Sequence, residues 1–551
     1  MKFRRVMSSG ASCVEVGGDV SDMRRSVLRE IDEPQDMHAR GTAAPLVDCE
    51  SDPGVKVKEG MRPTSMALAV GAMVALVFAG CSRNLGELIY NDSLLCGDEN
   101  QACAPDGGRF DLHIVDRTSY VVATPSVPTF DMVIKPNSTS VGFAYVVVSP
   151  RQDSGVIAMF PDAGIVDYDI MFREFDVDAG VASPPQLVQT VQRFFGVSVA
   201  YQVNGFPAVA YLGGPPDFTE TFWFQNDAAI AYNQGGRWVE QVAATNSSPP
   251  MASPPSPPSD NGKIIGFYPA LIFEGNNAVL AYRDGHFGQS AGTGDWNSAD
   301  LEMAVGGPTT WTPVALLQSG DSKRAYGAHN RIIYGAQTLS SGLRAAAVVS
   351  DRAGTAPDTF GADIEFSEQQ SDGTWKSCGA FQPLTIADTP SILGSNGATQ
   401  VPNTQAGPSI DYRDNFGYAV AVTNRSQNGV FFTACAANTD CTTPSGWDTL
   451  DPVFQRGSGG WYAAVAISPD GDPSVAYYIC SKQPNRNENT CTDDHYLAVA
   501  NRGLSQVWSD HEVVVDTGSA FQTRMVFIGN RRVIGYRNGA SGVLQIAVEK
   551  P

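Results

Sequence analysis

The stretch Ile467–Ile479, ISPDGDPSVAYYI, holds an apolar run, a turn built from Pro, Asp and Gly, and a second apolar run that ends in aromatics. Short apolar runs rich in β-branched and aromatic residues, split by such a turn, read as the two strands of a hairpin. Nearly the same sentence recurs as VSVAYQVNGFPAVAYLGG from Val197 and as ALIFEGNNAVLAYRDG from Ala270. A repeated hairpin predicts an all-β chain made of one recurring unit, not a string of unrelated domains.

Working outward, the unit recurs at roughly 55 to 80 residues and reads as an inner strand, a tight turn, a second apolar strand, a third strand and a fourth. Inner strands are expected to begin near Phe130, Gly196, Pro269, His329, Gly407, Trp461 and Phe521. The second strands, among them VGFAYVVV, PAVAYL, AVLAYR and PSVAYYI, carry the small and β-branched residues that suit a sheet covered on both faces. Fourth strands often open on Trp, as in RWVEQV from Arg237, GWDTLDPVF from Gly446 and VWSDHEVVV from Val507. The pattern predicts a seven-bladed β-propeller of four-stranded antiparallel blades over 109–551. The last repeat stops after its third strand, VLQIAVEKP, while an orphan strand, RFDLHIVD, stands before the first at Arg109–Asp116. An N-terminal strand that completes the last blade would close the ring and cover an exposed edge.

The chain has 58 acidic and 37 basic residues, a formal charge of -21, which argues against a nucleic-acid partner, whose phosphates need a basic footprint. Abundant Gly and Pro with only 17% charged residues suit many short strands joined by turns.

The segment MALAVGAMVALVFAGC, Met66–Cys81, is short for a membrane span and follows Lys56, Lys58 and Arg62, so it reads as a signal peptide occupying 61–81. Its end, FAGC, resembles the lipobox of bacterial lipoproteins, with Phe78 where Leu is usual. The resemblance implies that Cys81 carries lipid and becomes the mature N-terminus, anchoring an exported protein to a membrane. Ser82 stands where an Asp would favour inner-membrane retention, which implies the outer membrane or cell surface. Residues 1–60 form an aperiodic extension, consistent with translation starting at Met61, and 82–108 read as a polar tether. Of ten cysteines, Cys13 and Cys49 precede the signal and Cys81 takes lipid. In an oxidising compartment the close pairs Cys96 with Cys103, Cys435 with Cys441, and Cys480 with Cys491 are candidate disulfides, leaving Cys378.

Loops joining first to second strands are short, whereas the long loops leave second strands or link blades, and in a propeller those two classes share one end. Long loops on a rigid scaffold are where binding usually lives. Just after the second strands stand Arg151, Arg283, Arg352, Arg425, Lys482 and Arg537, a set able to hold a carboxylate or sulfate by paired hydrogen bonds. Neighbouring acids, as in Arg283–Asp284 and Asp351–Arg352, offer these cations a competing local role. Trp223, His286 and Trp296 lie in the same loops and are candidate stacking platforms.

SDGTW, Ser371–Trp375, resembles a shortened Asp-box of sialidases, without the full Ser-x-Asp-x-Gly-x-x-Trp spacing. That resemblance implies a glycan-acting hydrolase, but no catalytic Tyr and Glu can be placed and the repeat count departs from the six of sialidases. GQSAG, Gly288–Gly292, matches the nucleophile-elbow spacing without the helix that the motif needs. DVDAG, Asp176–Gly180, and the Asp470/Asp472 turn resemble oxygen-rich calcium loops without a full ligand set, so no cofactor is expected beyond a weak case for calcium. The reading that results is a non-catalytic binding module for a protein or glycan at the cell envelope. A sialidase-like hydrolase and a scaffold subunit of an envelope complex are the alternatives.

Overall fold

The computed structural model describes residues 109–118, 128–149, 167–192, 194–215, 225–245, 264–285, 299–307, 310–317, 324–334, 344–352, 361–369, 375–377, 389–390, 392–393, 400–401, 408–424, 429–454, 458–481, 496–503, 507–508, 512–515, 520–538 and 542–551. All lie within the compact unit Ala79–Pro551. Cys81, Cys96, Cys103 and the sequence before Arg109 fall outside the described residues.

The described chain is all-β, as the hairpin repeat predicts. Seven antiparallel sheets of four or five strands follow one another, with one further two-stranded pair, Ile392–Leu393 with Gln400–Val401. In the second sheet the strands Val197–Tyr201, Pro207–Gly213, Asp227–Gln234 and Arg237–Ala244 pair in sequence order. The third (Ile264–Glu274 to Thr310–Leu317), fifth (Ser409–Arg413 to Asp451–Phe454) and sixth (Ser458–Ile467 to Glu512–Val515) do the same. In the first sheet the outer position is split between Val181–Ala182 and Gln186–Val191, which both pair with Tyr168–Asp176. The fourth sheet runs from Arg324–Tyr334 to Trp375–Ser377. The seventh has three consecutive strands, Ala520–Ile528, Arg531–Asn538 and Leu544–Glu549, and its outer strand is the N-terminal Phe110–Asp116, paired antiparallel to Leu544–Glu549.

Second strands are among the most deeply buried of the described elements. Pro207–Gly213 is buried along its whole length, and Ser140–Val148 all but its ends. Small residues on these strands let neighbouring sheets approach face to face, so apolar clusters form between consecutive sheets. Ala419, Val430 and Phe432 of the fifth pack on Val465, Val475 and Tyr477 of the sixth. Ala144 and Phe172 of the first pack on Val197, Val209 and Tyr211 of the second.

Register exposes a repeat finer than the hairpin. Ala144, Ala210, Ala281, Ala347, Ala421, Ala476 and Gly535 on the second strands oppose Asp131, Ser198, Ala270, Arg331, Ser409, Ala464 and Arg524 on the first. Where this inner position carries an acceptor, it takes the N–H one residue beyond the matching position of the next sheet. Val199 donates to Asp131 Oδ2 (3.1 Å), Leu271 to Ser198 Oγ (3.1 Å) and Val465 to Ser409 Oγ (3.0 Å). Each bond satisfies a backbone donor that no strand partner reaches across the boundary between sheets.

Inner strands differ from expectation in the third, fourth, sixth and seventh sheets, where they start earlier and pass through a register shift. In the third, sixth and seventh, Tyr268, Tyr462 and Gln522 take positive φ two residues before the inner position. Gly266 (φ 114°) and Gly460 (φ 77°) stand two residues earlier still, where a Cβ would meet the backbone of Ala228 or of Gly429 and Val430. Glycine is needed there because the incoming strand presses on the third strand of the preceding sheet. The bends set up bonds between sheets: Tyr268 N–H to the Phe195 carbonyl (2.7 Å), and the Thr523 hydroxyl to the Tyr462 carbonyl.

Two fourth strands also begin later than expected, at Asp451 and Glu512. Trp447 and Trp508 form isolated bridges instead. Their indole N–H groups donate to the Cys441 carbonyl (2.8 Å) and to Asp451 Oδ2 (3.0 Å), so each ring anchors the approach to a strand without belonging to it.

Candidate functional site

The inner strands run away from the end at which each sheet receives the chain. In the first, second and fifth sheets Asp131, Ser198 and Ser409 are the first or second residue of the strand. The inner position therefore lies toward the end from which the long loops depart. There one carboxylate collects partners from several sheets and divides its two oxygens between them. Asp131 Oδ2 accepts from the Ser198 hydroxyl (2.9 Å) and from Val199 N–H. Oδ1 accepts from Arg524 Nε of the seventh sheet (3.0 Å) and forms an ion pair with Arg331 of the fourth at 3.7 Å.

Among the described residues two guanidinium groups face one carboxylate here, one positive charge in excess, in a chain of charge -21. Neither arginine is sealed in: the side chains of Arg331 and Arg524 are 20% and 19% exposed. Arg524 also donates to the Thr523 carbonyl (3.0 Å) and lies over the Phe130 ring. Positively charged, planar, multidentate donors held by packing and facing partly to solvent are suited to a carboxylate or sulfate.

A second polar collection lies nearer the loops of the second and third sheets. Asn226, Asp227, Arg283, Asp284 and Asp300 are all buried at strand ends, and Asp284 and Asp300 are cross-strand partners. Gly213 and Gly214 leave room for Tyr211 and Asp227, with which a Cβ would collide. Beside them Phe195 and Phe267 pack with ring centroids 4.3 Å apart, against Leu212 and Ile264. This is the base from which the loops carrying Trp223, His286 and Trp296 depart, though those three residues lie outside the described set.

Of the basic residues expected around the loop end, Arg151, Arg425 and Lys482 lie outside the described residues, and Arg352 closes a second strand with its side chain undescribed. The two that are described are buried and not rim-exposed: Arg283 is 3% and Arg537 1% exposed. The Arg537 guanidinium is spent on Thr129 Oγ1 (2.8 Å), the Gly542 carbonyl (2.8 Å) and the Val146 carbonyl (2.7 Å), tying the seventh sheet to the first. Being placed at the end of a second strand buries an arginine here, because the adjoining sheet covers that position. The partly exposed arginines come instead from first strands. Sequence alone did not single out Arg331 and Arg524, because their strands carry other polar residues and the register position they share with Asp131, Ser198 and Ser409 shows only in the pairing.

Cys435 and Cys441 form the expected disulfide, buried against Phe366, Tyr418 and Trp447. Cys480, Cys491 and Cys378 fall where side chains are not described. Asp176 and Asp178 fold into a turn: Asp176 Oδ1 accepts N–H groups from Asp178 (3.0 Å) and Ala179 (2.9 Å), and Asp178 pairs with Arg531 at 2.6 Å. Asp470 and Asp472 belong to the tight hairpin closed by Ser468. Among the described residues no cluster of three or more His, Cys, Asp or Glu is assembled for a metal.

No known family model matches this chain, and no curated protein matches it in sequence. Solved structures resemble it at low identity. A protein of unknown function from Dyadobacter fermentans matches with TM-score 0.40 and 9% identity over 80% of this chain and 97% of that one. An α-L-arabinofuranosidase from Fusarium graminearum, bound to an iminosugar inhibitor, gives TM-score 0.40 and 9% identity over 80% and 98%. Trypanosoma rangeli sialidase with the inhibitor DANA gives 0.36 and 12% over 67% of this chain, which spans 56% of the sialidase.

Proposed function

We propose that the chain is an exported, lipid-anchored, seven-bladed β-propeller that binds a glycan or protein through an acidic group and does not cleave it. The ring reading is supported by the first strands, which contact one another from sheet to sheet around the series, with that of the seventh also contacting that of the first. It is supported too by the N-terminal strand in the seventh sheet, which completes it as the orphan RFDLHIVD would. Binding at the loop-bearing end is carried by one observation: the convergence of Arg331 and Arg524 on Asp131, with one positive charge in excess. Arg151, Arg352, Arg425 and Lys482, with Trp223, His286 and Trp296, would supply contacts from the loops above.

A screen of the purified protein on arrayed glycans and acidic peptides tests this reading. Retention of uronate- or sulfate-bearing glycans, intact and lost in Arg331→Ala, is the expected result. Cleavage of a retained glycan would replace the binding module by a hydrolase, and retention of peptides alone would move the partner to an envelope protein. No retention of any acidic probe would overturn the site. Separately, Cys81→Ser should move the protein from the membrane to the soluble fraction; unchanged membrane association would remove the lipid anchor.

A further inference from the structure

We propose that Asp131 is a built-in occupant of the arginine pair, so that an incoming carboxylate binds by competing with Asp131 Oδ1 for Arg331 and Arg524. The inference rests on the reading of this place as an anion site and adds how its affinity is set.

The two oxygens of Asp131 have separable tasks. Oδ2 is committed to the fold, taking the Ser198 hydroxyl and the Val199 N–H, both from the next sheet. Among the described residues Oδ1 takes only the arginines, a hydrogen bond from Arg524 Nε at 3.0 Å and a looser ion pair with Arg331 at 3.7 Å, so one oxygen holds two charges that a ligand carboxylate could engage more fully. The longer contact is the looser one, so Arg331 is the group that a ligand engages first. Arg524 is better fixed, by Thr523 and the face of Phe130.

The repeat supplies the control. At this same register position Ser198 and Ser409 do the committed task without a charge, each accepting one N–H from the next sheet. A carboxylate is therefore not needed there for the bond between sheets. What Asp131 adds over Ser is the second oxygen and the charge, and both are directed at the arginines. With Asp131 ionised the place carries one net positive charge and suits a monoanion weakly; with a neutral residue it carries two. Opposite charges in a partly buried site attract strongly at short range, so removing the internal competitor strengthens external binding.

The test is titration calorimetry of the full-length protein with glucuronate and, in a second arm, with an N-acetylated glutamyl peptide, using the native protein, Asp131→Asn and Asp131→Ser. Asn and Ser both retain an acceptor for Val199, and thermal unfolding checks each fold. Should Asn perturb the seam, Ser, already used at this position by two sister repeats, keeps the experiment decisive. The expected result is at least tenfold tighter carboxylate binding in both variants, abolished by adding Arg331→Ala. Glucuronate responding while the peptide does not would assign the carboxylate to a sugar, and the converse to a protein. Equal affinity in native protein and variants would overturn the competition while leaving the anion site standing. Absence of binding in all three would overturn both.

Discussion

The seventh and fifth sheets have the same strand number but differ in how the outermost strand is held. In the fifth, every strand follows its neighbour in the chain, so short turns such as Asp414–Phe416 set the register. In the seventh, the outer pair joins Phe110–Asp116 to Leu544–Glu549 with no turn between them. Its register is marked by a buried charge at each end. Glu549 accepts from Arg532 Nε and a terminal nitrogen (both 2.8 Å) and pairs with Arg109 at 2.6 Å. At the other end Asp116 accepts from the Tyr145 hydroxyl (2.6 Å) and from Arg173 (3.2 Å), which also bonds the Val115 carbonyl. A slip of the N-terminal strand by one pair would take Asp116 away from Tyr145 and Arg173, leaving a buried charge unmatched, and would part Arg109 from Glu549 while Glu549 kept Arg532. The fifth sheet has at its outer strand a looser and more exposed ion pair, Asp451 with Arg502 of the sixth sheet at 3.6 Å. It relies on apolar packing, the Cys435–Cys441 bridge and anchoring by Trp447.

Because it removes the buried partner of Arg532 as well as that of Arg109, Glu549→Ala should be the most damaging single change in the seventh sheet. It strands Arg532, which is 2% exposed in its side chain, and is expected to cost about 3–5 kcal/mol in urea unfolding. Arg109→Ala, losing a partner that is 56% exposed, should cost under about 1 kcal/mol. Similar losses for both would break the contrast. In the fifth sheet, replacing Cys435 and Cys441 together by Ala removes a short loop closure and should cost about 2 kcal/mol under non-reducing conditions. A loss equal to that of Glu549→Ala would mean that the loop staple specifies its sheet as strongly as the charges specify theirs.

These contrasts bear on what a reader of the sequence can recover. The hairpin repeat was legible because burial on both faces forces small and β-branched residues into second strands such as PAVAYL, and tight turns force Gly, Asn, Asp and Pro between them. The orphan Arg109–Asp116 was legible as a strand lacking a partner within its own neighbourhood. The inner register position was not, because it shows as Asp, Ser, Ala or Arg according to which sheet lies beside it. Only pairing with the Ala of the second strand aligns Asp131, Ser198 and Arg331. Arg537 misled for a related reason: residue type and position marked a cation near a loop, but only the neighbouring sheet, contributing Thr129 and Val146, decides that it is buried.

The bond between sheets at the inner position should be worth less than either sheet's special device. Ser409→Ala leaves Val465 N–H without that acceptor and should cost about 1 kcal/mol, read by urea unfolding. No measurable change would show that the rung is incidental to a boundary held by apolar contact.

The smallest expected effect is also the one with opposite signs in the two regions. Burial alone would raise the carboxyl of Glu549, but the hydrogen bonds and charge of Arg532, with Arg109, outweigh it and hold the group below its ordinary value. Asp116 behaves alike, burial being outweighed by bonds from Tyr145 and Thr118 and by Arg173. A carboxyl lowered in the folded state binds its proton more weakly there than in the unfolded chain. The stability it contributes is complete above the ordinary carboxylate range and is lost as the pH falls through the lowered folded value. Asp411 in the fifth sheet is the reverse. Burial raises it, more than the N–H groups of Ile467 and Tyr412 and the charge of Arg413 lower it. The folded state therefore holds that proton more tightly, and protonation of Asp411 favours folding as the pH falls from above its raised value toward the ordinary one. Unfolding followed from neutral pH into the carboxylate range should accordingly show Glu549→Gln with a shallower acid loss than the native protein, and Asp411→Asn with a steeper one. Shifts of the same sign in both variants would mean that the two sheets are not held by different electrostatics, and that the seventh owes its register to packing as the fifth does.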